Sequence, residues 1–495
     1  MSAIPTLELV KQPSNKADAV IVGLVGDGPS LVGLTPDLEK AVAKAFSTSV
    51  LDLALDLGAS SEASKVVVLP SLSGQRLVVV GLGVDADVTP EQVRRSTGAA
   101  VREVASRAKD AGLRVAVSLE TTDPELVKAA AEGATLGAYT FAKVSGTAAK
   151  PGVTAVEVVS TDRGDARTAV DVAREIVGAV CTARDWVNAP ANDLYPESFA
   201  SSARDYFKGT KVDIEVLDEN QLAKGGYGGI LAVGSGSSRK PRLMRVDYHP
   251  RGAKFHLNLV GKGITFDTGG LNLKPADGMY TMKCDMAGAA AVLAATKAIA
   301  SLGYAVHITT YAAMAENMPS DTAYRPSDVL TMYGGMTVEN VNSDAEGRLV
   351  MADALTRSVQ DAPGMIVDVA TLTGACLVAL GTRTAGLMAS DDATADMLLD
   401  AAEMAGEDLW QLPIPEHLRK ELDSKVADCK SGGPREGGAL IAAAFLQKFT
   451  GDLPWAHLDI AGPAWNGAAP YDYVPAGGTG SAVRTLVALA ASLQG

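Results

Sequence analysis

The chain has 495 residues, 47% hydrophobic and 21% charged, a globular rather than disordered make-up and too long for one ordinary core. Its net charge is -14 and no Lys/Arg-rich stripe offsets it locally, which argues against nucleic acid as the main partner. Four scattered cysteines (Cys181, Cys284, Cys376, Cys429) form no CxxC pair, the start lacks the basic and apolar regions of a secretory leader, and no apolar run reads as a bilayer span. A reduced cytoplasmic protein without membrane attachment is expected.

The first third alternates β-branched runs with helical patterns. "DAVIVGLV" (18–25), "KVVVLP" (65–70), "RLVVVGLG" (76–83), "LRVAVSL" (113–119) and "TAVEVVS" (154–160) read as strands, and 90–109 and 124–142 as helices. That order predicts an α/β domain with a largely parallel sheet. Residues 165–186 carry Ala169, Ala173, Ile176, Val177 and Val180 at helical spacing, an amphipathic helix that connects two domains. "VNAPANDLYP" (187–196) reads as a loop. The expected organisation is an N-terminal α/β domain over 1–165 for assembly or regulation, a connecting helix over 166–186, and a larger α/β domain over 187–495.

In the larger domain, 229–237, 256–263, 305–313, 364–374 and 455–462 read as buried strands. Helices at 285–302, 349–361, 392–404 and 437–448 flank them, giving a mixed sheet covered by helices.

Two glycine-rich stretches suggest a dinucleotide site. In "VVVGLGVDA" (78–86), Gly81, Gly83 and Ala86 fit GxGxx(G/A), but the acid expected about 20 residues on is missing from a strand end; Glu103 falls in a helix. "VGSGSS" (233–238) has the same weakness. No phosphate-binding P-loop and no Gly-x-Ser-x-Gly elbow occurs.

Acids instead gather where the pattern says buried. "LVGKGITFDTGGLNLKP" (259–275) holds Lys262, Asp267 and Lys274, and "MKCDMAGAAAV" (282–292) holds Asp285 ahead of an Ala-rich helix. "NSDAEGRL" (342–349) puts Asp344, Glu346 and Arg348 at alternate positions, which in an extended stretch would share one side. Singly, each acid is explained as a cap, a turn residue or a first-turn acid. Together they sit after strands or at helix starts, the rim where open α/β sheets bind ligands. Four clustered carboxylates repel unless neutralised, and two divalent cations match their charge. With five histidines and no HExxH, such a site must be built mainly of oxygen ligands. Lys262 fits either as a partner of these acids or, desolvated beside two dications, as a neutral amine ligand.

These motifs, with "ENMPSDTAYRPSDVL" (316–330), "DVATLTGA" (368–375) and "HLDIAGPAW" (457–465), closely resemble the leucyl aminopeptidase family of cytosolic dinuclear metallo-exopeptidases. The resemblance runs from about Val187 to the C-terminus; the N-terminal third carries no motif. It implies that Asp267 and Glu346 bridge two metals, Lys262 and Asp285 complete the looser site, and Asp344 binds the other ion. It implies that Lys274 stabilises the tetrahedral intermediate and that Arg348 holds a bicarbonate acting as general base towards a metal-bridging water. Thr371, Leu372 and Gly374 would bond the substrate main chain, and Met282, Ala461 and Ala464 would line the side-chain pocket.

The implied metals are Mn2+ or Zn2+, with Mg2+ or Co2+ as alternatives. The implied substrates are peptides and amino-acid amides with a free N-terminus and a leucine-like first residue, and the implied assembly is a homohexamer. Ser343 and Ala287 depart from the family's common threonine and glycine at positions that are not ligands. Two other readings stay open: an oxygen-rich dinuclear hydrolase of another ester or amide, and a nucleotide- or DNA-binding regulator acting through the N-terminal domain.

Overall fold

A computed structural model of the chain describes residues 2–70, 75–85, 87–107, 112–142, 151–162 and 164–494. It divides into two compact units, Met1–Cys181 with Gly467–Ala476, and Thr182–Asn466 with Gly477–Gly495. The division falls inside the connecting helix rather than at either end of it.

In the first unit the strands are β1 (Thr6–Val10), β2 (Ala19–Val25), β3 (Ser30–Val32), β4 (Val66–Val68), β5 (Arg76–Gly83), β6 (Leu113–Ser118) and β7 (Val153–Val159). They order as β1-β7-β6-β2-β5-β4, with β3 paired to β2. The pairs from β1 to β5 along this path are parallel, while β3 and β4 are antiparallel edges. Strands β2 and β5 are buried on both faces, so their apolar runs are continuous rather than alternating. Helices α1 (Pro36–Phe46) and α2 (Val50–Asp56) cover one face; α3 (Pro90–Ser106), α4 (Pro124–Gly137) and the first turns of α5 (Asp165–Asn188) cover the other. Ala86, of the glycine-rich stretch, lies outside the described residues.

The second unit is built on β8 (Asp213–Leu217), β9 (Arg242–Tyr248), β10 (His256–Asp267), β11 (His307–Asn317), β14 (Met365–Ala370), β15 (Ala385–Ala389), β16 (Leu409–Gln411) and β18 (Trp455–Asp459). A small sheet of β12 (Val329–Thr331), β13 (Thr337–Glu339) and β17 (Cys429–Lys430) lies beside it. The main order is β16-β15-β18-β14-β10-β11-β9-β8, and its centre, β18-β14-β10-β11, is parallel. The edges β9 and β15 run antiparallel, so the sheet is mixed.

Side chains alternate across β10. Val260 and Ile264 pack towards α8 (Gly228–Gly234), α11 (Glu346–Val359) and α14 (Gly438–Gln447). On the opposite face Gly261 lies against the Ala-rich helix α10 (Ala287–Leu302), with α13 (Asp392–Ala405) and α15 (Val483–Ser492) beyond. The same unit also holds α6 (Pro196–Tyr206), α7 (Glu219–Gly225), a short α9 (Ala276–Met279) and α12 (Gly374–Leu380). Residues Ala276–Leu302 are long and apolar enough to cross a membrane, with mean hydropathy 1.3, but 78% of that window is buried inside the fold. Its longest helical part, α10, is a core helix whose alanines suit close packing on a sheet.

The structure corrects two local expectations. Residues 229–237 are not a strand: α8 occupies the stretch, burying Ile230 and Val233 three apart on one helical face. The Asp353 carboxylate on α11 accepts the Ile230 N–H at 2.9 Å and so caps the helix from a distance. "NSDAEGRL" is not extended either. Asn342 caps a 3-10 turn over Ser343–Ala345, and Glu346 opens α11, so Glu346 and Arg348 are two helical positions apart rather than on one strand face.

Candidate metal centre

The site forms at the C-terminal ends of the four parallel strands, the rim where a doubly covered sheet leaves open space. Strand β10 supplies Lys262 from its middle and Asp267 from its last position; its extension beyond the expected end places Asp267 at the rim. The turn that follows carries Lys274, the start of α10 is preceded by Asp285, and the 3-10 turn and α11 bring Asp344 and Glu346.

One carboxylate oxygen from each of Asp267, Asp344 and Glu346 lies within 4.8 Å of the others. Lys262 Nζ reaches Asp285 Oδ1 at 2.8 Å and Glu346 Oε1 at 2.7 Å. Lys274 Nζ reaches Asp267 Oδ2 at 2.9 Å and Asp344 Oδ1 at 2.6 Å. The acids singled out in three separate segments therefore converge, and both lysines lie among them.

Glycines make this convergence possible. A Cβ on Gly347 would sit 2.7 Å from Lys262 Cε, so the first turn of α11 needs glycine for the lysine to pass. Gly269 has φ +85, and a Cβ there would meet Asp344 Oδ1 at 2.8 Å.

Burial and mutual repulsion dominate the electrostatics. Desolvation pushes the Asp267, Asp285 and Asp344 carboxyls above their usual range, with Glu346 adding repulsion on Asp267 and Asp285. Burial alone would lower the Lys262 pKa, but Asp285, Glu346 and Asp267 outweigh it and hold the ammonium well above its ordinary value. Without metals, Lys262 is thus a charged partner of the acids. Four carboxylates share two ammoniums, and Asp285 Oδ2 and Glu346 Oε2 are buried without a hydrogen-bond partner among the described residues. Unpaired carboxylate oxygens cost free energy in such surroundings unless a cation takes them. The donor set, oxygen-rich with one amine nitrogen, fits divalent metal ions.

Substrate-side residues gather on the 371–374 loop after β14. The Thr371 hydroxyl donates to Asp285 Oδ1 at 2.7 Å and its carbonyl accepts from Lys262 Nζ at 3.1 Å. Gly374 opens α12, whose N-terminus Thr373 caps. Arg348 donates from Nη1 to the Ser431 carbonyl at 2.8 Å, while its Nε is buried without a partner among the described residues and so has a donor left for an anion. Met282 begins the 3-10 turn just before Asp285 and is half-buried; Ala461 is half-buried and Ala464 fully buried in the segment after β18.

Sequence reasoning missed two supporting residues. Asn317, at the end of β11, donates from Nδ2 to Asp267 Oδ1 at 2.7 Å and to the Ser343 carbonyl at 3.0 Å. Asp459, at the end of β18, accepts from the Leu372 N–H at 3.1 Å, the Ala461 N–H at 3.1 Å and the Thr373 hydroxyl at 2.7 Å. Both close strands at the rim, the one signal that could have marked them.

The whole chain matches known proteins. Residues 181–487 match the model of the cytosol aminopeptidase family catalytic domain, and residues 21–145 match that of its N-terminal domain. The chain belongs to the cytosol aminopeptidase family. A probable cytosol aminopeptidase of Cutibacterium acnes is 52% identical over 98% of this chain and 96% of its own length. One from Streptomyces coelicolor is 47% identical over 98% of each.

Among solved structures, the bottromycin maturation enzyme BotP in complex with Mn superposes with TM-score 0.85 at 37% identity, covering 97% of this chain and all of that one. A mutant of tomato leucine aminopeptidase gives TM-score 0.86 at 29% identity, covering 99% and 97%. As a member of the cytosol aminopeptidase family, the chain is a metal-dependent exopeptidase, a hydrolase acting on peptides.

Proposed function

We propose that this enzyme removes the N-terminal residue, preferably leucine-like, from peptides and amino-acid amides through a dinuclear centre. The observation that carries the reading is the convergence of Asp267, Asp344 and Glu346 within 4.8 Å, beside Asp285 and Lys262. Asp267 and Glu346 would bridge two ions, Lys262 and Asp285 would complete one site, and Asp344 the other. Divalent ions, when bound, supply the Lewis acidity that activates water and polarises the scissile carbonyl. Carboxylate ligands suit Mn2+, Mg2+ or Co2+ and the amine suits Zn2+; the Mn-bound BotP structure favours Mn2+.

The remaining residues place and stabilise the substrate. Lys274, at the mouth of the cluster, has an ammonium to offer the developing oxyanion. Arg348 keeps a buried N–H donor for bicarbonate, the proposed general base. Thr371, Leu372 and Gly374 present the loop that aligns the peptide main chain, with Met282, Ala461 and Ala464 as walls of the side-chain pocket. The same reading carries a homohexamer as the assembly and the cytoplasm as its place, both resting on the family resemblance.

Glu346→Gln tests it. The variant keeps the shape of the side chain but removes one charge and one bridging ligand, so it should fold and lose most turnover on leucine p-nitroanilide. Near-wild-type activity would sink the assignment. A parallel assay on phosphoesters separates this activity from other dinuclear hydrolyses.

A further inference from the structure

At the opposite end of β10 from the dinuclear cluster, three of the chain's five histidines form one row. His256 opens β10 and pairs in register with His307, which opens β11. Across the antiparallel β9–β11 pair, Tyr248 faces Ile308 and Asp247 faces Thr309, so His249, one residue beyond β9, comes opposite His307. The rings stack in a column, His249 on His307 with centroids 4.1 Å apart and His307 on His256 at 3.6 Å. Asp247 sits on the next rung of the same face, and its Oδ1 lies 3.1 Å from His307 Nε2.

Nitrogens of His249 and His307 and an oxygen of Asp247 all lie within 4.8 Å of one another. Two imidazoles opposite each other on paired strands, with a carboxylate two residues along, make a chelating arrangement whose spacing the sheet fixes. We propose that Asp247, His249 and His307 form a second metal site, selective for a borderline transition metal such as Cu2+, Zn2+ or Ni2+. Nothing in the hydrolytic chemistry uses these residues, and the proposal stands independently of that reading.

The surroundings support both parts of the proposal. Asp247 is held in place by the Thr309 hydroxyl at 2.9 Å and Arg245 Nη2 at 2.9 Å, the kind of outer support that orients a ligand. Burial pushes its carboxyl up, but these bonds, His307 and Arg245 together bring it below the usual range, so it is ionised at neutral pH. His249 is exposed, which leaves its ring room to turn off the stack and present a nitrogen edge-on.

Selectivity follows from charge. Arg245 stands beside Asp247, and the groove that His249 lines also carries Lys208, Lys211, Arg251 and Lys297. Hard cations such as Mg2+, bound mainly through charge, are repelled there. Metals that bond strongly to imidazole nitrogen have a reason to stay.

The test uses the full chain with its dinuclear centre first loaded in excess Mn2+. Cu2+ is then titrated in, unbound metal removed, and the protein read by mass-spectrometric metal analysis and by electron paramagnetic resonance. Wild type should retain about one more Cu2+ per chain than His249→Ala, with nitrogen hyperfine splitting from two imidazoles. Asp247→Asn should weaken that retention, and His249→Ala should keep its Mn2+-dependent hydrolysis because His249 lies outside the catalytic centre. Displacement of Mn2+ by Cu2+ at the dinuclear centre would be common to wild type and variant and cancels in the difference. Equal Cu2+ retention with identical spectra in wild type and His249→Ala overturns the proposal.

Discussion

Asp459 shows how a single carboxylate can govern a loop. It is fully buried and ties together Leu372, Thr373 and Ala461. The loop's other anchors, Thr371 to Asp285 and Lys262 to the Thr371 carbonyl, run through residues proposed to ligate metal and would be remade on loading. Asp459 is the anchor that metal leaves alone. Truncation to alanine strands the Leu372 and Ala461 N–H groups at about 1–3 kcal/mol each. Only part of this cost falls on substrate alignment rather than on folding, so Asp459→Ala should lose about 10- to 100-fold in kcat/KM, about 1.4–2.8 kcal/mol at roughly 1.4 kcal/mol per tenfold. Asp459→Asn, whose carbonyl still accepts those N–H groups, should recover most of the loss. Steady-state kinetics with metal content measured in parallel decides it; a wild-type kcat/KM in Asp459→Ala would show that the loop is held otherwise.

Among the elements, the long strands and helices were legible because period and burial agreed. Strands β2, β5, β10 and β11 and helices α3, α5 and α10 lie where their apolar patterns place them. Helix α8 was not, because a short apolar run between glycines has no period of its own, and what selects helix is a carboxylate far along the chain. The "NSDAEGRL" turn misled for a related reason: alternation implies a strand only if the backbone is extended, and Asn342 caps a turn instead. The proposed ligands do not depend on that backbone shape, since their chemistry rests on charge balance and on the family resemblance. Asn317 and Asp459 stayed hidden because each looks like an ordinary strand end until the loops are in place.

Asp353 ties three parts of the second unit together from one buried carboxylate. Its two oxygens accept the Ile230 N–H at 2.9 Å and the Tyr333 N–H at 2.8 Å, joining α8, α11 and the turn after β12. Burial pushes its carboxyl up to about 7, against the pull of these N–H groups. Asp353→Ala should lower Tm, with about 2–6 kcal/mol lost from two stranded buried donors. The folded pKa lies above the unfolded one, so the wild-type's contribution is fullest below the unfolded value and declines as pH rises through about 7. Thermal unfolding of wild type and Asp353→Ala at pH 5.5 and 8.5 should show the gap narrowing at the higher pH. An equal or wider gap there would contradict the sign.

In the whole molecule, the proposed dinuclear site lies on one rim of the second unit. Four carboxylates share two ammoniums there, and the proposed imidazole site sits about 35 Å of strand away, at the other end of β10. The proposed ligands Lys262, Asp267, Asp285, Asp344 and Glu346 all belong to the second unit. The most direct test of the central claim is metal content measured together with activity on one preparation. The purified chain should hold about two tightly bound divalent ions, lose activity in step with their removal by chelator, and regain it when Mn2+ or Zn2+ is restored. Full activity persisting in thoroughly metal-stripped protein would contradict the account.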